Sequence, residues 1–155
     1  MQILQPKSPQ ELLACADIYI SYNNDFLKVD ERWAHKQILD YWRQKNYIRV
    51  IWHEGQIVGF IAAIYCASKH SPEYRLLQEY YCTNLKGFSA AKAVRAAHRD
   101  MIEYATRRGI GLIQSPGSHM DSDNTFVRIL EKDGWERSGY LAQRRLEVEA
   151  RRTIR

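Results

Sequence analysis

Cysteine is scarce in this 155-residue chain, with Cys15, Cys66 and Cys82 odd in number and widely spaced. No Cys-x-x-Cys pair and no Cys/His cluster occurs, so neither a disulfide framework nor a metal site is indicated; reduced thiols in a cytosol are expected. Long apolar runs are missing too. The longest, Ile57 to Ala67, is well short of the roughly 20 residues a helix needs to cross a bilayer, so no membrane partner is expected. The first ten residues hold Pro6, Lys7 and Ser8 but no apolar signal core, which predicts a cytoplasmic protein. There is no internal repeat, low-complexity segment or linker. The length suits one domain with its own core.

What is present is ordinary in bulk and uneven in charge. Hydrophobic residues make up 45% and charged residues 26%, as in most soluble domains. The net charge of +5 gathers in two places. Arg95, Arg99, Arg107 and Arg108 share one predicted helix. Arg144, Arg145, Arg151, Arg152 and Arg155 lie near the C-terminus, where residues 148–155 read as a basic tail beyond a domain at 1–147. A basic balance favours coenzyme phosphates, nucleic acid or an acidic substrate, without choosing among them.

The elements follow one another closely. Gln2 to Gln5 suits a first strand. Ser8-Pro9-Gln10-Glu11 is a capping box with proline at the first helical position. Asp30 can cap a second helix that carries Trp33, Ala34, Ile38, Tyr41 and Trp42 at helical spacing. Tyr47–Trp52 and Ile57–Tyr65 flank His53-Glu54-Gly55-Gln56 as a hairpin. Arg75–Cys82 is the next strand. The spacing of Ala90, Val94, Ala97, Met101 and Ala105 predicts a helix to Arg108, with Lys92, Arg95, Arg99 and Asp100 facing away and Gly109 ending it. Ile110–Gln114 reads as a short strand, and Asp123–Lys132 as a helix stopped by Gly134. Trp135–Arg137 and Leu141–Glu147 read as two closing strands. The order β-α-α-β-β-β-α-β-α-β-β has one parallel crossover. It gives a mixed central sheet in a single α/β (α+β) domain.

The most informative stretch is Tyr81 to Ala91. It is a strand end, a loop led by Lys86 and Gly87, and the start of a long helix. Such a loop aims backbone N–H groups at one point, and the helix adds the positive end of its dipole. Together they suit a phosphate or pyrophosphate. Gly87 lets the backbone approach without a Cβ in the way. Ser89 can cap the helix and offer its hydroxyl, and Ala90 and Ala91 keep the end open.

With these elements in this order the chain resembles the GCN5-related N-acetyltransferase superfamily. Lys86-Gly87-Phe88-Ser89-Ala90-Ala91 is similar to its coenzyme loop, with Gly87 and Ala91 matching, Lys86 replacing an arginine and Ser89 replacing a glycine. Ile129 to Trp135 resembles the helix and Gly-Phe pair near the family's C-terminus. Gln56 to Ala62 resembles its hairpin ending in Gly-Phe-Ile. The resemblance implies acetyl-CoA as cosubstrate and a splayed parallel strand pair flanked by helices. Main-chain groups around Cys82, on Tyr81 and Thr83, would hold the pantetheine arm. An amine would attack the thioester directly. The family's acid, a tyrosine four residues before the glycine of Gly-Phe, falls on Leu130, which donates no proton.

Other groups are candidates to move the protons. Glu79 is the expected general base, on a strand where alternation gives it the same face as Tyr81 and Thr83. His119 is a second candidate base. Tyr140 and Tyr104 could supply a phenol, and Asn124 or Asp123 could reach the pantetheine amides. Cys82 has no neighbouring histidine in sequence to activate it and reads as a small buried side chain. Residues 22–29 and 115–124 are expected to line the acceptor side. The acceptor itself, a small or macromolecular amine, stays open, as does a homodimer. Two alternatives stand beside acetyl transfer: a degenerate binding or assembly module without catalysis, and an acyltransferase-like enzyme acting on nucleic acid.

Overall fold

The computed structural model describes residues 1–23, 28–67, 72–116 and 125–137. Its elements are β1 (Gln2–Leu4), α1 (Pro9–Asn23), α2 (Glu31–Arg43), β2 (Tyr47–His53), β3 (Gln56–Ala67), β4 (Tyr74–Thr83), α3 (Gly87–Arg107), β5 (Ile113–Gln114) and α4 (Thr125–Lys132). The strands lie side by side in chain order. The first four are antiparallel neighbours, and β5 runs parallel to β4 because α3 carries the chain back across the sheet.

Local chemistry explains most of the boundaries. Asp30 caps α2 by accepting the Trp33 N–H at 2.8 Å. Ser8 Oγ accepts the Glu11 N–H at 3.4 Å at the start of α1. Glu54 (φ +52°) and Gly55 (φ +74°) make the tight β2–β3 turn, whose left-handed backbone matches the twist of the flanking strands. Three helices end alike. The N–H two residues past the last turn reaches back to a carbonyl: Asn46 to Tyr41 (3.2 Å), Ile110 to Ala105 (2.9 Å) and Trp135 to Leu130 (3.2 Å). The residue between is left-handed each time: Lys45 (φ +59°), Gly109 (φ +69°) and Gly134 (φ +90°).

The sheet is covered on both faces, so β3 reads as a nearly continuous apolar run instead of an alternating one. On one face Leu12, Cys15 and Ile38 from α1 and α2 meet Val50, Phe60 and Cys82. On the other, Ala93, Ala97 and Met101 from α3 meet Ile51, Ile61 and Leu76. Each large side chain buried here stabilises the fold by about 1.5–3 kcal/mol before entropy is counted. Among the described residues no helix is long and apolar enough to cross a membrane.

Several expectations need correction. α3 begins at Gly87, so Ser89 sits inside the first turn and does not cap it; Lys86 occupies the cap position and its side chain makes no capping bond. Trp135–Arg137 is not a strand. The left-handed turn at Gly134 folds the chain back, and the Trp135 ring packs 5.8 Å from His98 on α3. β5 shrinks to two residues. Arg95 and Arg99 do not simply face away, since both clamp the Asp133 carboxylate at 3.0 Å and hold its pKa below the usual value. Asp100 also turns inward, accepting from Tyr47 Oη at 2.7 Å and pairing with Arg49 at 3.1 Å.

Candidate functional site

Strand β4 is built with one residue too many. Ala62 and Ala63 on β3 are opposed by Tyr80 and Gln78, which leaves Glu79 as the extra residue of a bulge. The bulge breaks the alternation. Leu76 and Tyr81 face α3, as does Gln78, which bonds His98 there. Tyr80 and Cys82 face α1 and α2. Glu79 goes with Tyr80: its Oε1 accepts a hydrogen bond from Tyr41 Oη on α2 at 3.2 Å. Glu79 therefore does not share a face with Tyr81 and Thr83. It is exposed at the edge of a tyrosine cluster in which Tyr19 and Tyr41 set their rings edge-on to Tyr80 at 5.3 and 5.5 Å. Burial, and then Glu79, push the Tyr41 phenol upward in pKa, while burial, Tyr19 and Glu79 push Tyr80 up to about 12. Sequence reasoning missed this cluster, because a bulge leaves no mark in a run such as Leu77-Gln78-Glu79-Tyr80.

Beyond the bulge the sheet opens. β5 pairs with β4 only at Leu76 and Leu77, while β4 continues to Thr83. From Gln78 onward that edge of β4 has no strand beside it among the described residues. The open edge runs into the loop before α3. Thr83 Oγ1 pins the loop by donating to Val58 O at 2.8 Å and accepting the Leu85 N–H at 3.1 Å. The Asn84 N–H also donates to Val58 O, at 2.9 Å. Gly87 is left-handed (φ +59°), and a Cβ there would meet nothing within 4 Å. The 21-residue α3 thus starts with no side-chain cap and no acidic residue in its first turn. Lys86 precedes it, and Lys92 lies over the exposed Phe88 ring at 4.9 Å. N–H groups without a side-chain cap, a helix dipole and two lysines would suit an anion.

The α3 face of β4 is packed. Leu130 is buried against Val94 and Phe126, with Tyr81 alongside. Tyr81 sets its ring 5.4 Å from Phe126 and 5.2 Å from His98, and its buried Oη has no hydrogen-bond partner among the described residues. Burial raises its pKa. His98 sits on both Val94 O (2.7 Å, through Nδ1) and the Gln78 side-chain amide (2.6 Å, at Nε2). A neutral ring donates once and accepts once. With Nδ1–H donating to Val94, Nε2 must accept, which requires the Gln78 amide to present its NH₂. Cys82 is wholly buried, and burial pushes its thiol well above the usual pKa, so it offers no thiolate.

Tyr104 lies 17 residues along α3 from Gly87, about 25 Å away, and is not part of this cleft. Cys82, Thr83 and Tyr81 line the end of β4, and Lys86, Gly87, Phe88, Ser89, Ala90 and Ala91 form the loop and first turn. Tyr140, His119, Asn124 and Asp123 lie outside the described residues. Among the described residues no group of acidic, histidine or cysteine side chains could hold a metal ion.

No protein-family model and no curated protein sequence matches the chain. Solved structures do. An integron cassette protein from the mobile metagenome of Cole Harbour Salt Marsh superposes with a TM-score of 0.72 at 11% identity, over 96% of this chain and 92% of that one. A ribosomal-protein-alanine N-acetyltransferase from Brucella melitensis gives 0.69 at 19% identity, over 90% and 86%. An aminoglycoside acetyltransferase from an uncultured soil metagenomic sample gives 0.63 at 14% identity, over 95% and 100%. At these identities the likeness shows the fold. The chain has the fold of the GCN5-related N-acetyltransferases.

Proposed function

We propose that the protein is an acetyl-CoA-dependent N-acetyltransferase that moves the acetyl group to an amine by direct attack on the thioester. The observation that carries this reading is the continuous path from the open edge of β4 to the uncapped start of α3. An edge strand offers amide groups to an extended amide-bearing arm, and the helix start offers N–H groups to a pyrophosphate. Glu79, the bulge residue of that strand, is a carboxylate on its α1/α2 side, where a base would take the ammonium proton directly or through water. With leucine at 130, water, the Tyr81 phenol in the same packed cluster, or Tyr140 would meet the departing thiolate.

Acetyl-CoA at about a hundred times its dissociation constant is expected to add about 2.7 kcal/mol of stability, a rise in Tm of roughly 5–10 °C. Gly87→Glu is expected to abolish the rise, because its carboxylate would stand where the phosphates approach. Gly87→Ala controls for the strain of a side chain at positive φ. No Tm shift at millimolar acetyl-CoA would rule the reading out. A shift without release of free thiol toward any amine would favour the non-catalytic module, which the leucine at 130 suits.

A further inference from the structure

Two adjoining clefts, each of about 230 Å³, lie at the C-terminal end of α3 and share Gln5, Arg49, Tyr104 and Arg108 as walls. α3 has 21 residues, so this end is about 30 Å from Gly87.

Arg49 is the fixed part of these walls. Its side chain is 13% exposed, with Nε 3.1 Å from the Asp100 carboxylate. Nη1 donates to Ile48 O at 2.9 Å, and the guanidinium lies over the Tyr47 and Tyr104 rings at 4.7 and 5.5 Å. Asp100 is engaged by Arg49 and Tyr47, and Arg107 by Glu103 at 3.2 Å. The Arg108 guanidinium also lies over the Tyr104 ring, 4.4 Å from its centroid. Neither Arg108 nor Lys45, which lines the first cleft, has a carboxylate partner among the described residues.

Lys45 is an independent pointer. It occupies the left-handed position after α2 (φ +59°), where α3 and α4 use Gly109 and Gly134. A lysine there carries strain that glycine avoids. Balancing the dipole of α2 does not require it, because Arg43 already stands in the last turn.

We propose that these clefts form a second anion site, which takes the phosphate group of a small phosphorylated molecule. Two uncompensated cations, Lys45 and Arg108, match a phosphate dianion, and Arg49 adds a directed donor held by its stack. The C-terminal dipoles of α2 and α3 oppose an anion, so the side chains carry the binding and added salt weakens it.

Calorimetry and thermal melts with inorganic phosphate, against chloride at matched ionic strength, test this. Lys45→Gly is expected to raise the ligand-free Tm by about 2 °C while weakening phosphate binding about tenfold. Arg108→Gln is expected to weaken binding about tenfold with an unchanged ligand-free Tm. Gly87→Glu should leave this phosphate affinity intact. Unchanged affinity in both cleft variants, or a loss confined to Gly87→Glu, would overturn the proposal, as would an absence of phosphate binding. So would an oligonucleotide that binds through Lys45 and Arg108 while inorganic phosphate fails to compete.

Discussion

Lowering the pH from 7 to 4 is expected to remove about 3 kcal/mol of stability through His98 alone. The ring is 1% exposed, and burial lowers its pKa from 6.5 to about 4, although its bond to Val94 pulls the other way. Between those values the unfolded chain binds a proton that the folded chain does not. The stability is therefore complete above pH 6.5, declines as the pH falls toward 4, and levels off below. Urea denaturation of wild type and His98→Gln at pH 7 and at pH 4 separates this from acid effects common to both. The wild type's advantage should shrink by about 3 kcal/mol. An advantage equal at both pH values would mean that the ring is not held neutral.

Gly59→Ala is expected to cost a comparable amount for a steric reason. A Cβ at Gly59 would stand 2.3 Å from the Cys82 carbonyl oxygen and 3.0 Å from Thr83 Cα. Both are backbone atoms and cannot swing aside. Gly59 pairs with Thr83, so β3 and β4 must part where Thr83 holds the loop to Val58. A loss of about 3 kcal/mol, or roughly 6–12 °C in Tm, is expected together with weaker coenzyme binding. Gly55→Ala is the comparison. It sits at φ +74° with nothing within 4 Å, so it bears strain but no clash. If Gly59→Ala melted within 2 °C of wild type, the close approach would not be real.

The element order was legible in the sequence through α4, because capping residues, left-handed glycines and apolar spacing are local signals. Asp30, Gly55, Gly109 and Gly134 each act through their own backbone or the next turn. The loop from Lys86 and the helix start behind it were legible for the same reason, although Gly87 opens the helix there and Ser89 does not cap it. Long-range features were not legible. Nothing near Glu79 in sequence marks it as a bulge, since the bulge exists only relative to Ala62 and Ala63. The role of His98 depends on Gln78, which faces it from β4. Arg95 and Arg99 looked like free positive charge until Asp133 arrived from α4. Gly59 read as part of a hairpin motif, whereas its need for hydrogen in place of a side chain comes from Cys82 and Thr83 on the facing strand.

Treated as an insertion, Glu79 leaves the phase of its strand unchanged. Removing it would join Gln78 directly to Tyr80, and every other side chain of β4 would keep its side: Leu76, Gln78 and Tyr81 toward α3, Tyr80 and Cys82 toward α1 and α2. The chain could be one residue shorter here and bury the same core. Packing therefore makes no demand on position 79, and any demand for a carboxylate comes from its surroundings, the Tyr41 hydroxyl and the neighbouring Tyr80.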